Sequence, residues 1–330
     1  MVSILITGGT GFIGIPLVKR FHELGYKLKL LVRETSDITP FEELNNIEYV
    51  IGDVRDNDSL NDATNGIDVI YHLAAYTGIW ARKKSIYYDI NVKGTQNILN
   101  LALEKKIKLF YLSSFTALGP TSPEPVDENH ENENFCMEYE KSKCEAKKLV
   151  KEYIPKGLDV IIFYPGIVYG PGDFNIFGRM LYDIMRGKIL PLGLCPGKGK
   201  SIACFSYLND VVDCLAKLVE NKDISGEDFI IGGENIEFVE YLNLIAEISR
   251  DKKAKKIPMW IAKVYAWLLE IKAKITKKTP SLTRDAINAI KYHRSYSSEK
   301  AIKKLNYKIT PLREGLEETI KWYKNYSESN

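Results

Sequence analysis

The run Ile4-Leu-Ile-Thr-Gly-Gly-Thr-Gly-Phe-Ile-Gly14 confines this chain to few folds, because uncharged β-formers pass straight into glycines spaced three apart. Ile4 to Ile6 read as a strand buried on both faces of a parallel sheet. Gly8 suits a tight turn, Gly11 lets backbone approach a pyrophosphate, and Gly14 lets helix and strand pack closely. The spacing predicts a helix from about Phe12 to Leu24, with Ile13, Leu17, Phe21 and Leu24 on one face and Gly25 as its stop. Pro16 falls near the first turn, where a missing N–H costs least. The first N–H groups of that helix would face phosphate oxygens. A second strand, Lys27 to Val32, completes the context that makes a glycine triplet a dinucleotide-binding signal.

Strand and helix patterns continue to alternate. Tyr49 to Ile51 leads into Gly52-Asp53-Val54, which places Asp53 to meet an adenine or its surroundings. Asp68 to Ala75 is a strand reaching a turn of small residues, where backbone can lie close to a cofactor. A helix follows over about Asp89 to Lys106, then a strand, Leu109 to Leu112, that delivers Ser113 and Ser114. A helix from Tyr139 to about Tyr153 precedes the strand Asp159 to Tyr164. This alternation predicts an α/β fold, a doubly wound parallel (Rossmann) sheet with a smaller, mostly helical C-terminal substrate lobe. The division expected is a dinucleotide-binding domain at 1–165, with a return contribution from about 205–232, and a lobe built from 166–204 and 233–330. Glycine and proline crowd the stretch after Pro165, as loops around a pocket require. Asp210 to Leu218 reads as helix, Phe229 to Ile231 as strand, and Leu312 to Tyr323 as an amphipathic helix.

A net charge of +3 over 330 residues gives no bulk electrostatic case for nucleic acid. Cys136, Cys144, Cys195, Cys204 and Cys214 show neither Cys-x-x-Cys spacing nor histidines at ligand spacing. No metal and no disulfide framework is expected, and a reducing cytoplasm fits. The N-terminus has no signal-peptide pattern, so secretion is not expected. His22, His72, His130 and His293 read as structural or surface residues. Residues 257–275 place Trp260, Ile261, Val264, Tyr265, Trp267, Leu268 and Ile271 at helical spacings between Lys252, Lys253, Lys255, Lys256 and Lys277, Lys278. Lys263, Glu270, Lys272 and Lys274 interrupt it, so it cannot span a membrane. It could lie on an anionic one. The expectation favoured is core, or the wall of an apolar pocket.

Chemistry enters with Tyr139-Glu-Lys-Ser-Lys143. Residues four apart project from one helix face, so the phenol and the ammonium can share a cleft. A tyrosine is a poor base at its usual pKa of about 10, and a neighbouring cation favours the phenolate; Lys143 is expected to supply it. Ser114, at the carboxyl end of a strand, could hold a substrate oxygen beside Tyr139. At the end of the second strand, where an acid would take the ribose 2′-hydroxyl of NAD, this chain has Arg33, followed by Glu34. A guanidinium suits a 2′-phosphate, so NADP is expected ahead of NAD.

With those residues placed, the chain resembles the extended short-chain dehydrogenases/reductases. The matching residues are Thr7-Gly8-x-x-Gly11-x-x-Gly14, Gly52-Asp53-Val54, His72-Leu-Ala-Ala75, Asn91-Val-x-Gly94-Thr95, Ser113-Ser114 with Gly119, Tyr139-x-x-x-Lys143 and Pro165-Gly-Ile-Val-Tyr-Gly-Pro171. Phe205 to Asp210 and Lys300-Ala301 with Leu305-Asn-Tyr307 extend the likeness to nearly the full length. Val32-Arg33, Tyr164 to Asp173 and the tryptophans near 260 are most similar to dihydroflavonol-4-reductase-like members. The resemblance implies Tyr139 as proton donor or acceptor, Lys143 on the nicotinamide ribose, Ser114 on the substrate oxygen, and Asn91 as support. It implies cofactor contacts from Thr7, Gly8, Gly11, Phe12, Ile13, Gly14, Arg33, Asp53, Val54, Leu73, Ala74, Ala75, Tyr139, Lys143, Tyr164, Pro165 and Ile167. Tyr164 stands where the family usually has arginine. A homodimer built on 89–106 and 139–153 is also implied, though both helices could equally face the sheet. The activity expected is hydride transfer between a nicotinamide and a small, partly apolar carbonyl or alcohol. A nucleotide-sugar epimerase or dehydratase is the alternative, and a non-catalytic dinucleotide-binding regulator a remote one. Nucleotide-sugar members usually carry Arg-Asp just ahead of the position of Phe205, and this chain has Ala203-Cys204, leaving Lys198, Lys200 and Arg294 to compensate.

Overall fold

The computed structural model describes residues 2–185, 194–196, 199–219, 221, 223–249 and 255–329. The chain opens with β1 (Ser3–Thr7), α1 (Gly14–Glu23), β2 (Lys27–Val32), β3 (Ile47–Ile51) and α2 (Asn57–Ala63). Then come β4 (Val69–His72), α3 (Ser85–Tyr88), α4 (Thr95–Glu104), β5 (Lys108–Leu112), α5 (Glu138–Tyr153) and β6 (Val160–Pro165). The second half runs β7 (Ile167–Tyr169), α6 (Ile176–Met185), β8 (Leu194–Pro196), β9 (Ile202–Tyr207), α7 (Leu208–Ala216), β10 (Asp228–Ile231), β11 (Glu234–Glu237) and α8 (Phe238–Ser249). It ends with β12 (Lys255–Ile257), α9 (Met259–Thr276), α10 (Arg284–Ala289), α11 (Glu299–Leu305) and α12 (Leu312–Ser329).

Seven parallel strands in the order β10-β6-β5-β4-β1-β2-β3 form the main sheet. Its period of two sorts side chains to two cores. Ile4 and Ile6 meet Leu17, Val18 and Phe21 of α1 and Val211 of α7, whereas Leu5 faces Ile98 and Leu99 of α4 and Ala146 of α5. The doubly wound fold read from the sequence is therefore the one observed. Strand order reverses between β1 and β4, and ligands of such sheets bind outside the carboxyl ends at that point.

Element ends differ from expectation where turns compete with helix. A Gly11 N–H to Gly8 C=O bond of 3.0 Å closes the glycine turn, so α1 begins at Gly14 rather than Phe12. Leu24 lies past its end and is exposed. The helix expected from Asp89 begins at Ser85, and its residues Asp89–Gly94 are wound as a π-helix, a rare form often found at functional sites. Both α4 and α5 cover the sheet with one face.

Strands β11, β9 and β7 form a second sheet, covered by α6, α8 and α12 around Phe205, Tyr207, Tyr241, Leu316 and Tyr323. Helix α9 overturns the expectation of an apolar core stripe. It packs through Ala262, Ala266 and Leu269 toward Leu282 and Ile287, and its tryptophans point to solvent. Alanines let α9 approach α10 closely, and this small-residue face wins the interior.

Arg294 donates to the buried Glu140 of α5, joining the C-terminal half to the main sheet. The other Glu140 oxygen accepts the N–H groups of Cys136 (2.8 Å) and Met137 (3.1 Å) at the start of α5. Removing one partner of a buried pair strands the other charge, typically at about 3–5 kcal/mol. Arg294→Met should lower the denaturant midpoint by a stability loss of about that size, and adding Glu140→Gln should recover part of it. A loss in the double variant equal to the sum of the Arg294→Met and Glu140→Gln losses would show that the pair carries no coupling.

Candidate active site

The carboxyl ends of β1, β4 and β5 converge beneath the glycine turn. Gly8 has φ +77°, and a Cβ there would lie 2.6 Å from the Ala74 nitrogen; one on Gly14 would lie 2.2 Å from the Gly8 oxygen. Both positions therefore exclude any larger residue. No side chain caps the start of α1 at Ile13. The glycine turn and this uncapped helix start match the site for a dinucleotide pyrophosphate, so the residues present fit a nicotinamide cofactor.

Below the turn, a line of hydrogen bonds ties the site together. The Ala74 N–H donates to Thr7 Oγ1 (3.3 Å), which lies 2.7 Å from His72 Nδ1; His72 Nε2 lies 3.0 Å from Thr95 Oγ1, which donates to the Asn91 carbonyl at 2.7 Å. Since the Thr95 proton is committed to Asn91, that hydroxyl must accept from His72, which fixes the Nε2–H tautomer and leaves Nδ1 to accept from Thr7. Burial, then the Lys143 charge, push the His72 pKa down to about 3, so the ring is neutral. The Asn91 side chain accepts from the Tyr76 N–H (2.7 Å) and donates to the Tyr76 carbonyl (3.1 Å) and to Ser142 Oγ (2.9 Å). Ser142 donates in turn to the Tyr139 carbonyl at 2.8 Å. The π-helical turn thus puts one buried amide between the loop after β4 and the helix carrying Tyr139 and Lys143.

Ser114 accepts from the Thr116 N–H (3.3 Å) and hydroxyl (2.9 Å), and its hydroxyl lies close enough to the Tyr139 phenol to favour the phenolate. Lys143 Nζ is buried, donating to the Leu112 carbonyl (3.0 Å) and the Tyr111 hydroxyl (3.3 Å). Burial pushes the Lys143 pKa down to about 7. The Tyr139 pKa is raised to about 12, chiefly by burial, with the Ser114 hydroxyl working the other way. The Lys143 ammonium turns to the strand end, and the desolvation of each group dominates both shifts.

Asp53 does not wait free for an adenine. Arg55 Nε and Nη2 hold its carboxylate at 2.8 Å each, and this bond, with Arg33 adding its field, keeps the Asp53 pKa low. Two guanidinium groups thus flank the ends of β2 and β3; Arg55 was missed, its only signal being a cation two residues after a strand-end acid. Val54 packs close to Gly94. Leu73 continues the β4 pairing through its N–H to Thr7 (3.0 Å), and Ala75 precedes the Tyr76 held by Asn91. The Tyr164 ring is turned away, fully buried with its hydroxyl on Asp228 (3.2 Å), so any contact of Tyr164, Pro165 and Ile167 with a cofactor falls to their neighbouring backbone or to the other two. Arg294 is engaged by Glu140, Lys200 is exposed, and Lys198 lies outside the described residues. The same holds for Lys252 and Lys253.

Residues 4–232 match the NAD dependent epimerase/dehydratase family. A candidate dihydroflavonol 4-reductase of Synechocystis sp. is 27% identical over 97% of this chain and 94% of its own length. A UDP-glucose 4-epimerase of Vibrio cholerae is 26% identical over 86% of this chain and 84% of its own. The crystal structure of gox2253 aligns at a TM-score of 0.82 and 31% identity, covering 99% of each chain. The resemblance to extended short-chain dehydrogenases/reductases holds over the whole chain, which belongs to the NAD dependent epimerase/dehydratase family.

Proposed function

We propose that the protein is an NADP-dependent reductase or dehydrogenase acting on a small, partly apolar carbonyl or alcohol. The observation that carries this reading is the Tyr139 phenol, set beside the Ser114 hydroxyl and one helical turn from the buried Lys143. A pure dinucleotide binder has no need of such a proton relay. Against a nucleotide-sugar substrate stands Arg294, which is bonded to Glu140 and so not free to neutralise a second pyrophosphate. The loop after Ala75 favours an apolar substrate. Tyr76 and Tyr87 pack edge to face at 5.0 Å, and their hydroxyls are spent on the Trp80 and Gly78 carbonyls.

In this reading the glycine turn and α1 hold the pyrophosphate, Arg33 holds the 2′-phosphate, Arg55 stays on Asp53, and Lys143 holds the nicotinamide ribose. The bound cofactor supplies or accepts the hydride. Ser114 fixes the substrate oxygen, Tyr139 passes a proton to or from it, and Asn91 ties the loop after β4, through Tyr76, to the Tyr139 helix, through Ser142.

The protein should bind NADPH more tightly than NADH, and Arg33→Asp should remove about tenfold or more of that preference, since charge-assisted bonds contribute about 1.5–3 kcal/mol. Nicotinamide fluorescence titration reads both affinities; tighter NADH binding by the wild type would sink the assignment. Tyr139→Phe should keep cofactor affinity and lose about a hundredfold or more in turnover of a panel ketone. Micromolar binding of a UDP-sugar with epimerised product and no net NADPH oxidation would favour the epimerase instead.

The depressed Lys143 pKa makes a separate prediction about stability. Below about pH 7 the lysine is protonated folded and unfolded, and its burial cost is present in full. Above that, only the unfolded chain keeps the proton up to its usual pKa of about 10.4, so stability rises by about 1.4 kcal/mol per pH unit. The advantage of Lys143→Met over the wild type should therefore shrink by about 2 kcal/mol between pH 7 and 9 in urea unfolding. A constant difference would show that Lys143 stays charged in the folded protein.

A further inference from the structure

Helix α9 has two apolar faces, and the larger side chains are on the outer one. Ala262, Ala266, Leu269 and Ala273 recur at intervals of three and four and face the body of the protein. Opposite them lie Trp260, Val264, Trp267, Leu268, Ile271 and Ile275, with Trp260 68%, Trp267 46% and Ile275 76% exposed. At about 100° per residue, Lys263 and Lys274 border this stripe on one side and Lys272 on the other. Lys277 and Lys278 follow at its end, both exposed. Lys291 stands close enough that its charge presses the Lys263 pKa down. The one acid of the helix, Glu270, faces inward and is taken by the Arg284 N–H (2.7 Å) and guanidinium (2.8 Å).

An apolar stripe with tryptophans, lysine on both borders and no free acid is complementary to a surface that is apolar inside and anionic at its rim. A second copy of this chain would bring lysine borders against lysine borders. No helix among the described residues is long and apolar enough to cross a membrane. We propose that α9 is a peripheral membrane-docking helix, lying in the interface of an anionic bilayer with Trp260, Trp267 and Ile271 inserted and Lys263, Lys272 and Lys274 at the headgroups.

The test is flotation of the full-length protein with vesicles of phosphatidylcholine alone or with ~30% phosphatidylglycerol, where each lysine near the surface contributes roughly fivefold in partitioning. Binding is expected to the anionic vesicles, to weaken with salt, and to shift tryptophan emission to the blue. Lys263→Gln with Lys274→Gln should weaken it about 25-fold. Trp260→Ser with Trp267→Ser should abolish both binding and the shift. These side chains are exposed, and circular dichroism checks that each variant folds; should the serine pair fail to fold, the glutamine pair decides alone. Absence of binding to anionic vesicles, or binding unchanged in the folded variants, would overturn the proposal. So would lipid-free self-association that the serine pair removes, because the face would then belong to a second copy. The assay needs neither substrate nor cofactor, so its result stands apart from the reductase reading.

Discussion

Everything at the candidate site hangs on a neutral, buried imidazole. His72 bridges Thr7 at the end of β1 and Thr95 at the start of α4, and through Thr95 reaches the backbone of Asn91. Leaving any of these buried groups unpaired would cost about 1–3 kcal/mol, and each has no water to turn to. The geometry of the glycine turn, the loop after β4 and the π-helical turn is consequently set together. A histidine that reads from sequence as merely structural is thus what holds the parts of the site in register.

The same dryness sets the electrostatics. His72, Lys143 and Tyr139 are each displaced toward their neutral forms, and burial is the leading cause in all three. A lysine beside a tyrosine is expected to draw out the phenolate, but that holds only where the ammonium is solvated or directed at the phenol. Here the Tyr111 ring and the Leu112 carbonyl take the ammonium. An anionic cofactor arriving over this helix would favour the charged lysine, so in the proposed reading binding itself prepares the acid–base pair.

Much of the main sheet was legible because a parallel strand buried on both faces leaves a short apolar run bounded by turn residues. Ile4 to Thr7 and Val160 to Pro165 are of this kind. Periodicity was less informative for α9, which carries apolar residues on opposite faces; spacing cannot say whether alanine or tryptophan turns inward. Nor could local pattern find contacts made at long range. Arg294 and Glu140 are 154 residues apart, and the Tyr164 hydroxyl meets Asp228 from a neighbouring strand. The residues that bear the proposed chemistry were legible, and the burial that sets their pKa values was not.

Arg294 also shows how one scaffold can separate substrates. A cation near the lobe is useful to an anionic substrate only while its charge is uncommitted. Here Glu140, next to Tyr139 in sequence, uses that charge to fix the start of α5 and join it to the C-terminal half. Freeing Arg294 for a sugar nucleotide would strand Glu140 beneath the proposed catalytic tyrosine, a cost set by burial and independent of the substrate. At the other end of the cleft Arg55 is likewise committed, to Asp53, and Arg33 adds its field there. In the proposed reading, Arg33 then supplies the charge for the 2′-phosphate, while the charge of Arg294 stays with Glu140.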